Sequence, residues 1–161
     1  MPEFKVEREN VSFWLRVKPR ATRERLTVDA SGELRLAEKL AQSPAPGGTP
    51  LPVLIEVNLG GEISKAGVRA GEVAALAEQI APMETLELRG LMVIPPFLEN
   101  PEDVRPYFRQ LRALACDLER RNLPNVSMLE LSMGMSHDFE IAIEEGATMV
   151  RVGTAIFGRR E

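Results

Sequence analysis

The 161-residue chain has one cysteine, one histidine, one tryptophan and one tyrosine. A single cysteine, Cys116, excludes an internal disulfide and any multi-cysteine zinc site. His137 is the only histidine, so a two-histidine metal site is excluded as well and no metal is expected. Neither sign of charge dominates: 20 Lys and Arg stand against 24 Asp and Glu, for a net charge of −4. A general nucleic-acid binder or a membrane-surface protein is usually basic, so neither partner is expected. No apolar run approaches the roughly 18 residues of a membrane span, and the amino-terminal MPEFKVEREN lacks the apolar core of a signal peptide. The 44% hydrophobic and 27% charged content is that of a folded globular chain. These exclusions leave a cytoplasmic globular protein as the expectation.

What is present falls into two parts. Gln42 to Pro50 holds three prolines and two glycines in nine residues and reads as an exposed loop. Before it, Phe13 to Val17 and Leu26 to Val28 have partial β alternation. Asp29-Ala30-Ser31-Gly32 reads as a turn, and Glu33 to Leu36 as a returning strand. A β-hairpin followed by a short helix from Leu36 to Gln42 is therefore expected. Arg16, Lys18, Arg20, Arg23 and Arg25 give that segment a local positive charge, which a solvated hairpin face accounts for.

After the loop the rhythm is regular. Val53 to Leu59 is an apolar, β-branched run, as in a strand covered on both faces. Ala70 to Ala81 carries Val73, Leu76, Ala77 and Ile80 at helical spacing and stops at Pro82. Leu86 to Ile94 reads as a second buried strand. Asn100-Pro101-Glu102-Asp103 is a helix-start signal, and the stripe that follows is Val104, Tyr107, Phe108, Leu111, Leu114, Ala115 and Leu118. Pro106 requires either a separate first turn, with the main helix starting near Arg105, or a kink. Val126 to Ser132 and Met149 to Val152 read as further strands, separated by a helix from Ser136 to Glu145 that Gly146 closes. Strand and helix alternating in this way predict a parallel α/β sheet with right-handed crossovers. Periodicity leaves an open sheet and an arc of a barrel undecided; a closed (β/α)8 barrel needs about 200 residues or more.

In such folds ligands gather at the carboxyl ends of the strands. The loops in question are Asn58 to Lys65, Pro95 to Phe97, Met133 to His137 and Gly153 to Gly158. Ser132-Met133-Gly134-Met135-Ser136 and Arg151-Val152-Gly153-Thr154 place glycines and hydroxyls where free N–H groups can cradle a phosphate. Tight turns alone also explain these glycines. Arg151 closes an apolar strand, where a charge is costly unless paired or facing a site; an ion-pair role and a ligand contact both remain open. No nucleophile–base pair can be assembled. His137 reads as structural or exposed, Asp138 and Glu140 as favourable charges at a helix start, Cys116 as a packed thiol and Glu144-Glu145 as a solvated face.

The motifs Leu131-Ser-Met-Gly-Met-Ser136 and Met149-Val-Arg-Val-Gly-Thr-Ala-Ile-Phe-Gly158 closely resemble the YggS family, the pyridoxal phosphate homeostasis proteins. Leu51-Pro-Val-Leu-Ile-Glu-Val-Asn58, Glu62-Ile-Ser-Lys-Ala-Gly67 and Arg89-Gly-Leu-Met-Val-Ile-Pro95 resemble it in the same order, so the likeness covers about residues 36 to 158. It implies the alanine racemase amino-terminal fold, a (β/α)8 barrel of TIM type, present here as about four parallel βα units preceded by a β-hairpin. It also implies pyridoxal 5′-phosphate as the cofactor, bound for buffering or delivery, with no catalytic residues. Carried over by position, Arg151 would face the pyridine nitrogen. Ser136, Gly153 and Thr154 would hold the phosphate, and Ser132 and Met133 would line the same pocket.

The family's Schiff-base lysine lies in a first-strand stretch resembling V-A-V-S-K, which has no match here. Residues 11 to 36 instead resemble the opening of the small YggU-like family. Lys18 is the only lysine on an expected early strand and is not expected to replace the missing one. The chain thus reads as a composite: a hairpin segment over residues 1–36 and a partial barrel over 37–161, with the loop 42–50 near the join. The expected function is weak or non-covalent binding of pyridoxal phosphate by a truncated or fused relative that forms a homo-oligomer. The alternatives are a non-binding remnant that dimerises and a racemase- or decarboxylase-like enzyme.

Overall fold

The computed structural model describes residues 30–42, 48–61 and 66–158. Its centre is a five-stranded, wholly parallel sheet in the order β2-β1-β3-β4-β5. The strands are β1 (Leu51–Asn58), β2 (Val68–Arg69), β3 (Leu86–Val93), β4 (Val126–Met135) and β5 (Met149–Arg151). The helices are α1 (Ala30–Ala41), α2 (Val73–Ile80), α3 (Arg105–Glu119), α4 (Phe139–Glu144) and the single turn α5 (Thr154–Phe157). The four long-range strands expected from periodicity are all present. The two-residue β2, which extends the sheet past β1, has too short an apolar run to be read from sequence.

One face of the sheet packs under the helices. Val73, Leu76, Ala77 and Ile80 of α2 are all buried, as their spacing requires. Phe108, Leu111, Ala115 and Leu118 of α3 are buried, with Tyr107 and Leu114 packed at the margin. These side chains meet Ile55 and Val57 of β1, Leu86, Leu88, Leu91 and Val93 of β3, and Leu131 and Met133 of β4 in one core. Of the two readings of Pro106, the separate first turn is the one adopted. Pro101–Val104 forms a 3-10 turn whose N-cap, Asn100, accepts a hydrogen bond from the Glu102 N–H, and α3 begins at Arg105. Such a cap contributes about 1 kcal/mol. Gly146 takes the expected left-handed conformation, φ 96°, at the end of α4.

Four local expectations are corrected. Glu33 to Leu36 is not a returning strand but part of α1, which also starts well before Leu36. Period 2 and period 3.6 cannot be told apart in Glu-Leu-Arg-Leu, and packing decides: Leu34, Ala37, Leu40 and Ala41 face the core while Leu36 is exposed. The rest of the expected hairpin, Lys18 included, lies outside the described residues. The helix expected from Ser136 starts at Phe139, because β4 continues to Met135. Cys116 is exposed, lying one residue beyond the buried Ala115 and so about 100° around α3 from the stripe. Glu145 is buried, not solvated; it pairs with Arg105 (2.7 Å) and Arg109 (3.1 Å) of α3.

The alternate strand residues point to the other face of the sheet. Glu56 of β1, Met92 of β3, Ser132 of β4 and Met149 of β5 are register partners in one row across it. In a closed barrel this face is the interior. Among the described residues no helix is long and apolar enough to cross a membrane.

Candidate functional site

Three loops, at the carboxyl ends of β3, β4 and β5, enclose a cavity of about 540 Å3. Ile94 to Phe97 supplies one wall, Met135 to Asp138 the second, and Arg151, Gly153 and Thr154 the third.

Arg151 ends β5, and its guanidinium reaches back across the sheet. Nη1 donates to the Ser132 carbonyl (3.0 Å) and to Ser132 Oγ (2.6 Å); Nη2 donates to the Val93 carbonyl (2.7 Å). One side chain therefore ties together the ends of β3, β4 and β5. Burial pushes the Arg151 pKa down, and the charges of Glu56 and Asp138 push it back up. A guanidinium holds its proton under such pressure. Burial likewise raises the Glu56 carboxyl, against the opposing pull of Arg151.

Ser136 Oγ accepts hydrogen bonds from the backbone N–H of Gly153 (3.0 Å) and of Ala155 (3.2 Å). Two main-chain donors thus converge on one oxygen at the cavity edge, the arrangement an oxyanion accepts. The turn that carries Ser136 is fixed from below. Gly134 has φ 92°, and a Cβ there would come within 2.6 Å of the Ala142 Cβ. The buried Asp138 accepts from the Met135 N–H at 2.6 Å. From the side, His137 Nε2 lies 3.1 Å from the Leu98 carbonyl, which can only accept, so Nε2 carries the proton. The His137 and Phe97 rings stack at 4.9 Å between centroids, tilted by 33°.

Of the residues singled out from sequence, Arg151, Ser136, Gly153 and Thr154 line this cavity together. Ser132 is buried and reaches it only through Arg151. Met133 does not line it: strand alternation turns its side chain to the opposite face, where it is wholly buried in the core under the helices. Two further residues at the site, Glu56 and Phe97, are not among the sequence candidates, and one candidate, Asp138, has a different role. Glu56 interrupts an apolar run at even parity with Leu54 and Asn58, and that parity is the signal for it. Asp138 acts as a brace on the Met135 N–H, not as a dipole charge, and Phe97 belongs to a loop with no local motif to mark it. Among the described residues no cluster of His, Cys, Asp or Glu is arranged to hold a metal ion.

The chain matches the alanine racemase, N-terminal domain family over residues 17–161. It is 58% identical over 109 residues to the pyridoxal phosphate homeostasis protein of Aquifex aeolicus, covering 68% of this chain and 47% of that one. PipY of Synechococcus elongatus PCC7942, solved without pyridoxal phosphate, superposes with a TM-score of 0.69 at 35% identity, covering 77% of this chain and 57% of PipY. PipY with pyridoxal phosphate bound superposes with a TM-score of 0.63 at 33% identity, covering 82% and 59%. This chain spans about half the length of the curated relatives it matches. A family match over almost the whole chain, together with the parallel sheet, makes this protein a member of the alanine racemase N-terminal domain family, with pyridoxal phosphate homeostasis proteins among its relatives.

Proposed function

We propose that this chain binds pyridoxal 5′-phosphate non-covalently, to hold and release it and not to catalyse. The observation that carries the reading is the meeting, at the edge of one cavity, of the Gly153 and Ala155 N–H groups on Ser136 Oγ, with a fixed guanidinium at Arg151 lining the same cavity. The cavity volume lies inside the range of about 300–1,000 Å3 common to small-molecule sites. Ser136, Gly153 and Thr154 would hold the phosphate through hydroxyls and main-chain N–H groups, and Arg151 would meet the ring nitrogen. When bound, the cofactor supplies a reactive carbonyl and an electron-accepting ring. Arg151 donates hydrogen bonds but does not give up its proton, so it leaves the ring nitrogen unprotonated and the ring a weak electron sink. This residue alone thus favours storage over chemistry. The protein is further proposed to act in the cytoplasm and as a homo-oligomer.

Adding pyridoxal phosphate, recording its absorbance and passing the mixture over gel filtration tests this. The expected result is saturable binding in the titration, loss of ligand on the column, and no mass increase after borohydride reduction. Arg151→Met should weaken the binding about tenfold, as for a lost hydrogen bond to a charged group. A wild-type protein that gives no saturable signal would favour the non-binding remnant. A borohydride-fixed adduct would show that a lysine takes part after all, and turnover of an amino acid would establish an enzyme.

A further inference from the structure

The cavity lining is mixed. Ser136, Arg151 and the Gly153 turn supply its polar groups, while Ile94, Met135 and Phe97 present exposed apolar surface. Phe97 is the extreme case, with 77% of its surface accessible. An exposed aromatic on a loop is ordinarily free to reorient; this one is held. Its ring packs on His137, and His137 is in turn anchored through Nε2 to the carbonyl of Leu98, the next residue along the Phe97 loop. The clasp joins the loop after β3 to the loop after β4. It fixes a flat apolar face at the cavity, on a residue that is not a member of the buried core.

We infer that Phe97, steadied by His137, is the specificity-determining contact for the aromatic part of the ligand, and that it makes the site prefer a phosphorylated aromatic ring over a bare phosphate. The inference rests on the pyridoxal phosphate reading above and assigns a separate residue to a separate part of the molecule. Ser136 and the Gly153-Thr154 turn recognise charge and bind any phosphate, and Arg151 meets the ring nitrogen. Phe97 adds apolar contact to the face of the ring, an increment of the size measured for aromatic pairs.

The test uses the full chain, with pyridoxal 5′-phosphate followed by absorbance and inorganic phosphate as a competitor that displaces it. Phe97→Ala should weaken pyridoxal phosphate binding about two- to tenfold while leaving the inhibition constant of inorganic phosphate unchanged. Phe97→Tyr should restore the affinity, because it keeps the ring. His137→Ala should give a smaller loss in the same direction. Because Phe97 is exposed, its removal leaves the fold intact, and circular dichroism checks this. Binding by the wild type with Phe97→Ala unaffected overturns this inference alone. Equal loss of pyridoxal phosphate and inorganic phosphate also overturns it, since Phe97 would then be shaping the loop. No binding by the wild type overturns it together with the reading on which it rests.

Discussion

Arg151 shows how one residue serves structure and site together. Its three hydrogen bonds use part of the five-donor fork of a guanidinium, which leaves donors for a ligand while the strand ends stay tied. Lysine has the charge but not the fork, so the position asks for arginine on geometric grounds. Gly90 is constrained for a different reason. It sits where β3 slips register against both neighbours, and a Cβ there would fall 1.8 Å from the Glu130 carbonyl oxygen of β4. Backbone atoms of two paired strands cannot both move aside. Gly90→Ala should therefore destabilise the protein by about 3 kcal/mol, the upper end of the overpacking range, and lower the urea midpoint without changing the fold's m-value. A midpoint within error of the wild type would show that the bulge absorbs a methyl group.

At the level of elements, legibility followed the strength of the periodic signal. α2 and α3 were readable because four or more apolar residues recur at 3.6-residue spacing, and tertiary packing then uses that same stripe. α1 runs against the local signal because Leu34-Arg35-Leu36 alternates as a strand does. The helical stripe of Leu34, Ala37, Leu40 and Ala41 rests on two alanines and is fixed by packing on α2 and the sheet, which are distant in sequence. The cavity lining is legible where loop chemistry is local, at Ser136 and Gly153-Thr154, and not where strand parity decides, at Met133, which faces the core. Phe97 carried no local signal, since its partner His137 is 40 positions away in the chain.

The α3–α4 junction was the least visible of all, because an ion-pair network leaves no periodic trace. Arg105 contacts Glu102, Glu144 and Glu145 at 2.7–2.8 Å, and Arg109 adds a second contact to Glu145. Hydrogen bonds from Arg105, then from Arg109, hold the Glu145 carboxyl below its usual value, and Arg105 does the same for Glu102. A depressed carboxylate pKa means that the unfolded chain takes up protons first as pH falls. The stabilisation is then complete above the ordinary carboxylate pKa and is lost as pH drops through the lower folded value. Glu145→Gln should consequently lower thermal stability at neutral pH and flatten its decline on the acid side below about pH 4. Parallel acid limbs for the variant and the wild type, in melting curves by circular dichroism, would rule the junction out as the source.

The whole molecule poses the question of what meets the sheet where the described strands stop. β2 and β5, the two flanking strands, are each paired on one side among the described residues, and each is only two or three residues long. Short edges limit adventitious pairing, but they do not cover the face that carries Glu56, Met92 and Ser132. In a closed barrel that face is interior and no edge remains. Parallel strands at both flanks allow two copies related by an axis along the barrel to pair β5 of one with β2 of the other, twice over, so that both edges close at once. The cavity lies at the carboxyl ends of β3, β4 and β5 and would then sit beside the new seam, so that ligand and assembly are linked by mass action. Light scattering over a range of concentrations should accordingly show a dimer or a larger species, and pyridoxal phosphate should shift the population toward it. A monodisperse monomer, unchanged by saturating ligand, would refute the pairing and confine the site to the three loops of a single chain.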